Sequence, residues 1–218
     1  GHYSTAYDLA LITRYALENR VFSEIVATKE ITISKRSLHN TNEMLSMYPG
    51  ADGVKTGYTG KAGRCLVTSA TREEFRIISV VLNCSSRYMR AKSSKEILDY
   101  AFNNYKMHVL LEPGEIIGEL PVIKGLDENV HVGTSEKIVY PLRQDEAERL
   151  ERKILLPESL NAPVFGGTDV GYIKFVLDGN VLAESKLKAW KDVARKDFRY
   201  YLDNIIMQWL KLVKHSSQ

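Results

Sequence analysis

Gly50-Ala51-Asp52-Gly53-Val54-Lys55-Thr56-Gly57-Tyr58-Thr59 is the stretch on which the fold turns. Strand-like segments over Val54–Tyr58, Gly63–Ala70 and Phe75–Asn83 are followed by a helical one over Arg90–Tyr105, with Ile97, Leu98, Ala101 and Phe102 on one face. Three strands in succession closed by a helix predict an α+β domain with an antiparallel sheet. Side chains alternate along a strand, so Lys55 and Gly57 share a face and Thr56 takes the other. Gly57 carries no side chain and lets another backbone approach closely. An edge strand of this kind can pair with an extended peptide through its main chain.

Upstream, Ser4 is placed to cap a helix through Ala6, Leu9, Ala10, Ile12, Thr13, Ala16 and Leu17. Val21–Ala27 reads as a second short helix, Lys29–Ser34 as a strand, and His39–Met47 as a turn with a helical fragment. The hairpin of Gly63–Ala70 with Phe75–Asn83 is expected to turn at Thr71–Glu74. That register sets Cys65 opposite Val80 and leaves Cys84 some four residues further along, too far for a disulfide. Two free, partly buried thiols are expected.

The chain divides near residue 106. Residues 107–185 alternate in short segments punctuated by Pro113-Gly114, Lys124-Gly125 and Asp178-Gly179-Asn180, which predicts a small all-β sandwich or barrel. No cluster of acids, histidines or cysteines converges there, which favours a pedestal or a partner-binding module. Residues 186–218 read as a terminal helix with Phe198, Tyr201, Leu202, Ile205, Ile206, Trp209 and Val213 at helical spacing. Lys186 to Lys214 holds eight Lys or Arg against three Asp, a net +5 that leaves −2 for the rest of a chain whose total is +3. A basic, aromatic-bearing amphipathic helix suits a membrane interface. The competing reading is a helix packed on its own domain.

A 218-residue chain that is 44% hydrophobic and 26% charged has the composition of a globular protein, without an apolar run of about 18 residues that would span a bilayer. His2, His39, His108, His131 and His215 show no ligand spacing, so no metal is expected. No glycine-rich phosphate loop is present, no cofactor is implied, and the basic residues match no nucleic-acid module.

A Lys-Thr-Gly on a strand is also the third signature of penicillin-recognising serine enzymes. The chain resembles the C-terminal two-thirds of the low-molecular-mass penicillin-binding proteins that act as D-alanyl-D-alanine carboxypeptidases. The residues that carry the resemblance are His2 to Ala10, Asn40-Thr41-Asn42 and Gly53 to Thr59, continued by Ala62-Gly63, Leu66-Val67, Ser69-Ala70 and Ile77–Leu82. The resemblance implies part of a serine β-lactamase/transpeptidase-like domain over 1–106, an all-β domain over 107–185 and a membrane-associated amphipathic helix over 186–218. It implies Lys55 as a catalytic cation and Thr56, Gly57 and Thr59 as substrate-binding residues. It also implies an arginine after the hairpin that holds the substrate's terminal carboxylate; Arg90 is the candidate, with Arg87 competing. Phe198, Tyr201, Leu202, Ile205 and Trp209 are the implied anchor.

Such enzymes also need a Ser-x-x-Lys nucleophile and a Ser-x-Asn element. The chain is read as supplying neither: its Ser-x-x-Lys, Ser185 to Lys188, lies far downstream of Lys55 and is taken as accidental. The expected protein is a serine-type carboxypeptidase of peptidoglycan pentapeptide stems that binds β-lactams, with its nucleophile upstream and this chain inactive alone. Its expected place is extracytoplasmic, peripheral on the outer face of the bacterial cytoplasmic membrane against anionic lipid. The alternative is a non-catalytic wall- or membrane-binding module. A class A β-lactamase is a weaker third reading, because those enzymes lack an all-β tail domain.

Overall fold

The computed structural model describes residues 3–215; Gly1 and His2, where the resemblance begins, lie outside them. Two compact units divide at Lys106–Met107.

The first unit opens with α1 (Ala6–Leu17) and α2 (Arg20–Ala27). Thr5, not Ser4, caps α1. Its hydroxyl accepts from the Asp8 N–H while the Asp8 carboxylate accepts from the Thr5 N–H, a reciprocal capping box. A hairpin of β1 (Glu30–Ile33) and β2 (Arg36–His39) follows, then the single turn α3 (Met44–Met47). The centre is an antiparallel sheet of β3 (Ala51–Thr59), β4 (Gly63–Arg72) and β5 (Phe75–Cys84), in that order, followed by α4 (Arg87–Asn104).

Both faces of this sheet are covered, so Leu66 through Ala70 of the central strand β4 are buried without a break. Leu66, Ala70 and Val81 pack with Ala91 and Leu98 of α4 and with Met44 and Tyr48. Val54 and Val67 pack with Leu17 of α1 and Val26 of α2.

The β4–β5 hairpin is tighter than its sequence suggests. Arg72 pairs with Phe75 across Glu73 and Glu74, both at positive φ, the conformation of a two-residue primed turn. Val67 therefore faces Val80, and a bulge between Arg64 and Leu66 brings Cys84 opposite Arg64. The two cysteines lie far closer than four residues apart, yet both are free and half-buried. Cys65 sits at the bulge, its thiol directed to the Ala62 carbonyl, while Cys84 packs in the α4 cluster.

The second unit holds β6 (Lys106–Leu111), β7 (Ile116–Ile123), β8 (Asn129–Gly133), β9 (Ile138–Leu142), α5 (Gln144–Arg149), β10 (Glu151–Leu155), β11 (Leu160–Asn161), β12 (Asp169–Leu177) and β13 (Asn180–Ala189). Six strands form one sheet in the order β10-β12-β13-β8-β7-β11, and β6 pairs with β9. Its core gathers Leu111, Leu120, Val130, Val132, Ile173, Phe175 and Leu187. Asp178 and Gly179 turn β12 into β13, both at positive φ.

The terminal helix starts later than its sequence suggests. Lys186–Ala189 belong to β13, and the chain beyond returns to the domain through the bridges Val164–Val193 and Gly125–Arg195. Leu187 and Val193 are buried, so the alternation there serves a sheet core. Helix α6 runs Phe198–His215, where the Asp197 carboxylate accepts from the Tyr200 N–H. Among the described residues, no helix is long and apolar enough to cross a membrane.

Candidate active site

Strand β3 is an edge of its sheet: β4 pairs with one side, and no strand among the described residues pairs with the other. Lys55, Thr56, Gly57 and Thr59 sit on this strand. The Lys55 ammonium is exposed and donates to the Thr56 carbonyl at 2.6 Å, its one hydrogen bond among the described residues. A cation left to its own strand is available to a group brought from outside this chain.

Thr56 is held from the side. Its hydroxyl lies 2.7 Å from the Thr41 hydroxyl. Thr41 belongs to the loop Asn40-Thr41-Asn42-Glu43, whose polar side chains tie it to the sheet. Asn42 is 2% exposed; its amide donates to the Gly53 carbonyl at 2.8 Å and its side-chain oxygen accepts from the Met44 N–H. Asn40 accepts from the Asn42 N–H and donates to the carbonyls of Val26 and Thr28. Short amide side chains that bond nearby backbone replace the regular ladder in such loops.

Arg90 sits in the first turn of α4 with 3% of its surface exposed. Its guanidinium grips Glu43 with two nitrogens, at 2.9 and 2.7 Å, and donates to the Thr41 carbonyl at 3.3 Å. Burial alone would raise the Glu43 carboxyl, but the hydrogen bond and charge of Arg90 outweigh it and hold the carboxyl below the usual glutamate range. Arg90 is thus an internal counter-ion that steadies the loop carrying Thr41, and a substrate carboxylate reaches it only by displacing Glu43. Arg87 is exposed and makes no ion pair among the described residues.

Thr59 works within the chain: its hydroxyl accepts from the Ala62 N–H at 3.0 Å and fixes the β3–β4 turn. Asp52 anchors the other end of β3, accepting from Ser69, from Thr71 at 2.6 Å and from Arg76 at 3.1 Å. Neither Asp52 nor Glu43 stands out by sequence spacing. The signal that could have found Glu43 is its place directly after the Asn-Thr-Asn triplet, where a loop of amides needs a charge partner.

Two glycines of β3 contrast. A Cβ on Gly53 would stand 2.9 Å from the Val26 side chain, so packing itself requires that glycine. A Cβ on Gly57 would meet only the Cys65 Cβ, at an ordinary 3.8 Å. Nothing among the described residues demands glycine at 57.

The serine motifs sit elsewhere. Ser185 is 3% exposed on β13, bonded to Thr134 and to the Lys186 carbonyl, and offers no free nucleophile. The chain does contain a Ser-x-Asn tripeptide, Ser159-Leu160-Asn161, contrary to the expectation of none. It lies in the second unit, its last two residues forming β11, where Leu160 packs against the β-domain core and the strand pairs with Val122 and Ile123. Its spelling reflects a strand of that domain.

Comparison with known proteins agrees with this division. Residues 1–86 match the D-alanyl-D-alanine carboxypeptidase family, and residues 105–195 match the C-terminal domain of penicillin-binding protein 5. D-alanyl-D-alanine carboxypeptidase DacF of Bacillus subtilis is 33% identical over 97% of this chain and 56% of its own length. DacA of Escherichia coli is 30% identical over 99% of this chain and 53% of its own. The solved structure of penicillin-binding protein 5 from Haemophilus influenzae superposes with a TM-score of 0.70 at 30% identity, covering 89% of this chain and 58% of that one. The chain spans about half the length of the curated relatives it matches. With a Lys-Thr-Gly edge strand in the first unit and a strand-rich second unit that also holds the short helix α5, it belongs to the D-alanyl-D-alanine carboxypeptidase family, of which it represents the C-terminal part.

Proposed function

We propose that the whole protein is a serine-type D-Ala-D-Ala carboxypeptidase of peptidoglycan stem peptides that also binds β-lactams. The observation that carries this reading is the open β3 edge, where Lys55 and a glycine that packing does not require lie side by side. The stem peptide pairs with that edge through its main chain, and Gly57 lets it approach. Thr56, steadied by Thr41, donates its hydroxyl to the terminal carboxylate; Arg90 acts behind it by holding the Thr41 loop. A serine outside this chain attacks the D-Ala-D-Ala carbonyl, the terminal D-Ala leaves with a proton, and water then hydrolyses the ester. Lys55 favours the anionic transition state and the working protonation states of the attacking groups.

The surface of the first unit favours packing against a further portion of polypeptide in the whole protein. Tyr7, Ile12, Tyr15, Ile25, Ile31, Ile33 and Leu38 are all exposed around α1, α2 and the β1–β2 hairpin.

Labelling with fluorescent penicillin tests the reading. The full-length protein labels and this chain alone does not. Gly57→Ala in the full-length protein retains its melting temperature, since the new methyl has room, but labels several-fold more slowly. Labelling of this chain alone would overturn the assignment of the nucleophile. A full-length protein that never labels would leave the non-catalytic module as the reading.

We also propose that α6 holds the protein on the outer face of the cytoplasmic membrane. Phe198, Tyr201, Leu202, Ile205 and Trp209 are exposed, with Phe198 at 79% and Trp209 at 69%. Truncation before Phe198 is expected to abolish co-sedimentation with vesicles containing anionic lipid. Unchanged sedimentation would refute the anchor.

A further inference from the structure

The second unit carries a cleft that the peptidase reading leaves unused. It has a volume of about 530 Å³ and is lined by the Pro113-Gly114 turn, Gly133, Ser135, Gly167, Lys188 and Trp190. That is within the size range of small-molecule sites, roughly 300–1,000 Å³.

Its main feature is Trp190. The backbone N–H of Trp190 donates to the His131 carbonyl at 3.0 Å, which fixes where the residue leaves the sheet. A Cβ on Gly133 would fall 2.4 Å from the indole Nε1, so the ring is seated on a bare backbone that only glycine provides. A Cβ on Gly114 would meet the far edge of the ring at 3.7 Å. Despite this seat, 45% of Trp190 remains exposed. The uncovered part of the residue lines the cleft.

The charge beside the ring points the same way. Lys186 is bonded to Asp169 at 2.6 Å and Lys191 to Asp127 at 2.7 Å. Lys188, between them and lining the cleft, makes no ion pair among the described residues. Its cross-strand neighbour, Asp169, is already bonded to Lys186. The cleft thus offers an indole, the Ser135 hydroxyl and a lysine whose charge acts on Asp169 without an ion pair to it.

A sugar ring suits this set. Its C–H faces stack on an indole while its edge carries oxygens for nearby donors. The ammonium selects for a sugar bearing an acetamido oxygen or a carboxylate. A lipid chain would leave Lys188 unmatched. We infer that this cleft is a glycan subsite, in which Trp190 stacks on an N-acetylated sugar of the peptidoglycan strand and Lys188 holds an oxygen at its edge. The inference rests on the reading of peptidoglycan as substrate, and it gives the β-domain a binding role besides that of a pedestal.

Calorimetry of the full-length protein with glycan strands freed of their stem peptides provides the test. Saturable binding is expected, at least 10-fold weaker in Trp190→Ala and within about 3-fold of wild type in Trp190→Phe, which keeps a ring. Lys188→Gln weakens binding and flattens its salt dependence. All three variants retain the wild-type melting temperature and penicillin labelling, which separates lost binding from lost folding. No saturable binding by wild type, equal binding by Trp190→Ala, or the same Trp190 dependence for free stem peptides would overturn the glycan assignment. Those results leave the peptidase reading standing if labelling persists. Trp190-dependent glycan binding without penicillin labelling would instead sink the peptidase reading and keep the subsite.

Discussion

Lys55→Ala in the full-length protein is expected to slow acylation by fluorescent penicillin about 10²–10³-fold, the usual cost of removing one group aimed at transition-state charge. The fold should be indifferent. Lys55 is exposed, and its one hydrogen bond runs to the carbonyl of its own neighbour. Exposed side chains with such contacts change stability by about 0.5 kcal/mol or less, which for a chain of this size moves the melting temperature by about 2 °C or less. The contrast between a large kinetic loss and an unmoved melting curve is the informative result. Near-normal acylation would remove Lys55 from the catalytic assignment. Lys55→Arg restores the charge but not the compact ammonium, so a partial recovery is expected.

Much of the fold was legible from local pattern around Lys55, where strand-like segments are separated by turn residues. The turn and strand pattern around Lys55 marked the three-stranded sheet; of the stripe read on α4, Leu98 and Phe102 do cover it, whereas Ile97 is exposed and the buried face continues through Arg90, Ala91 and Ser94. Where the reading failed, tertiary structure had overridden a local pattern. Lys186–Ala189 sit in a basic stretch that suggests a helix, yet β13 continues there because Leu187 fills the core of the second unit. The hairpin register slipped because Glu73 and Glu74 adopt positive φ, which their identities do not announce. The short helix α5 went unseen.

The site was legible in its motif and opaque in its support. Lys55, Thr56 and Gly57 announce themselves as a tripeptide on an edge strand. The Thr41–Thr56 contact and the clamp of Asn42 on Gly53 join residues 11 to 15 positions apart through side chains. No spacing rule encodes such pairs. Arg90 was visible as a cation after the hairpin, but its commitment to Glu43, 47 residues away, needed the packed structure.

That commitment makes Arg90→Ala the substitution with the largest expected effect on stability. The Arg90 side chain is 4% exposed and that of Glu43 23%. Removing the guanidinium leaves a largely buried carboxylate unpaired and the Thr41 carbonyl without its donor. Breaking a buried pair in this way costs about 3–5 kcal/mol; the residual exposure of Glu43 places the cost near the lower end. Against a total of about 5–15 kcal/mol that is a large share, and it corresponds to a fall in melting temperature of about 6–12 °C. Replacing both partners, with Arg90→Met and Glu43→Leu together, should recover most of the loss, because no charge is then left unpaired. A double variant as unstable as the two single losses added would show that the residues are not coupled. Acid provides a second check. The Glu43 carboxyl is depressed in the folded state, so the pair contributes fully above the unfolded glutamate value. Its contribution drains away as pH falls through the lower, folded value. Wild type should therefore lose stability below the ordinary glutamate range more steeply than the double variant, and equal slopes would mean that Arg90 does not set the ionisation of Glu43.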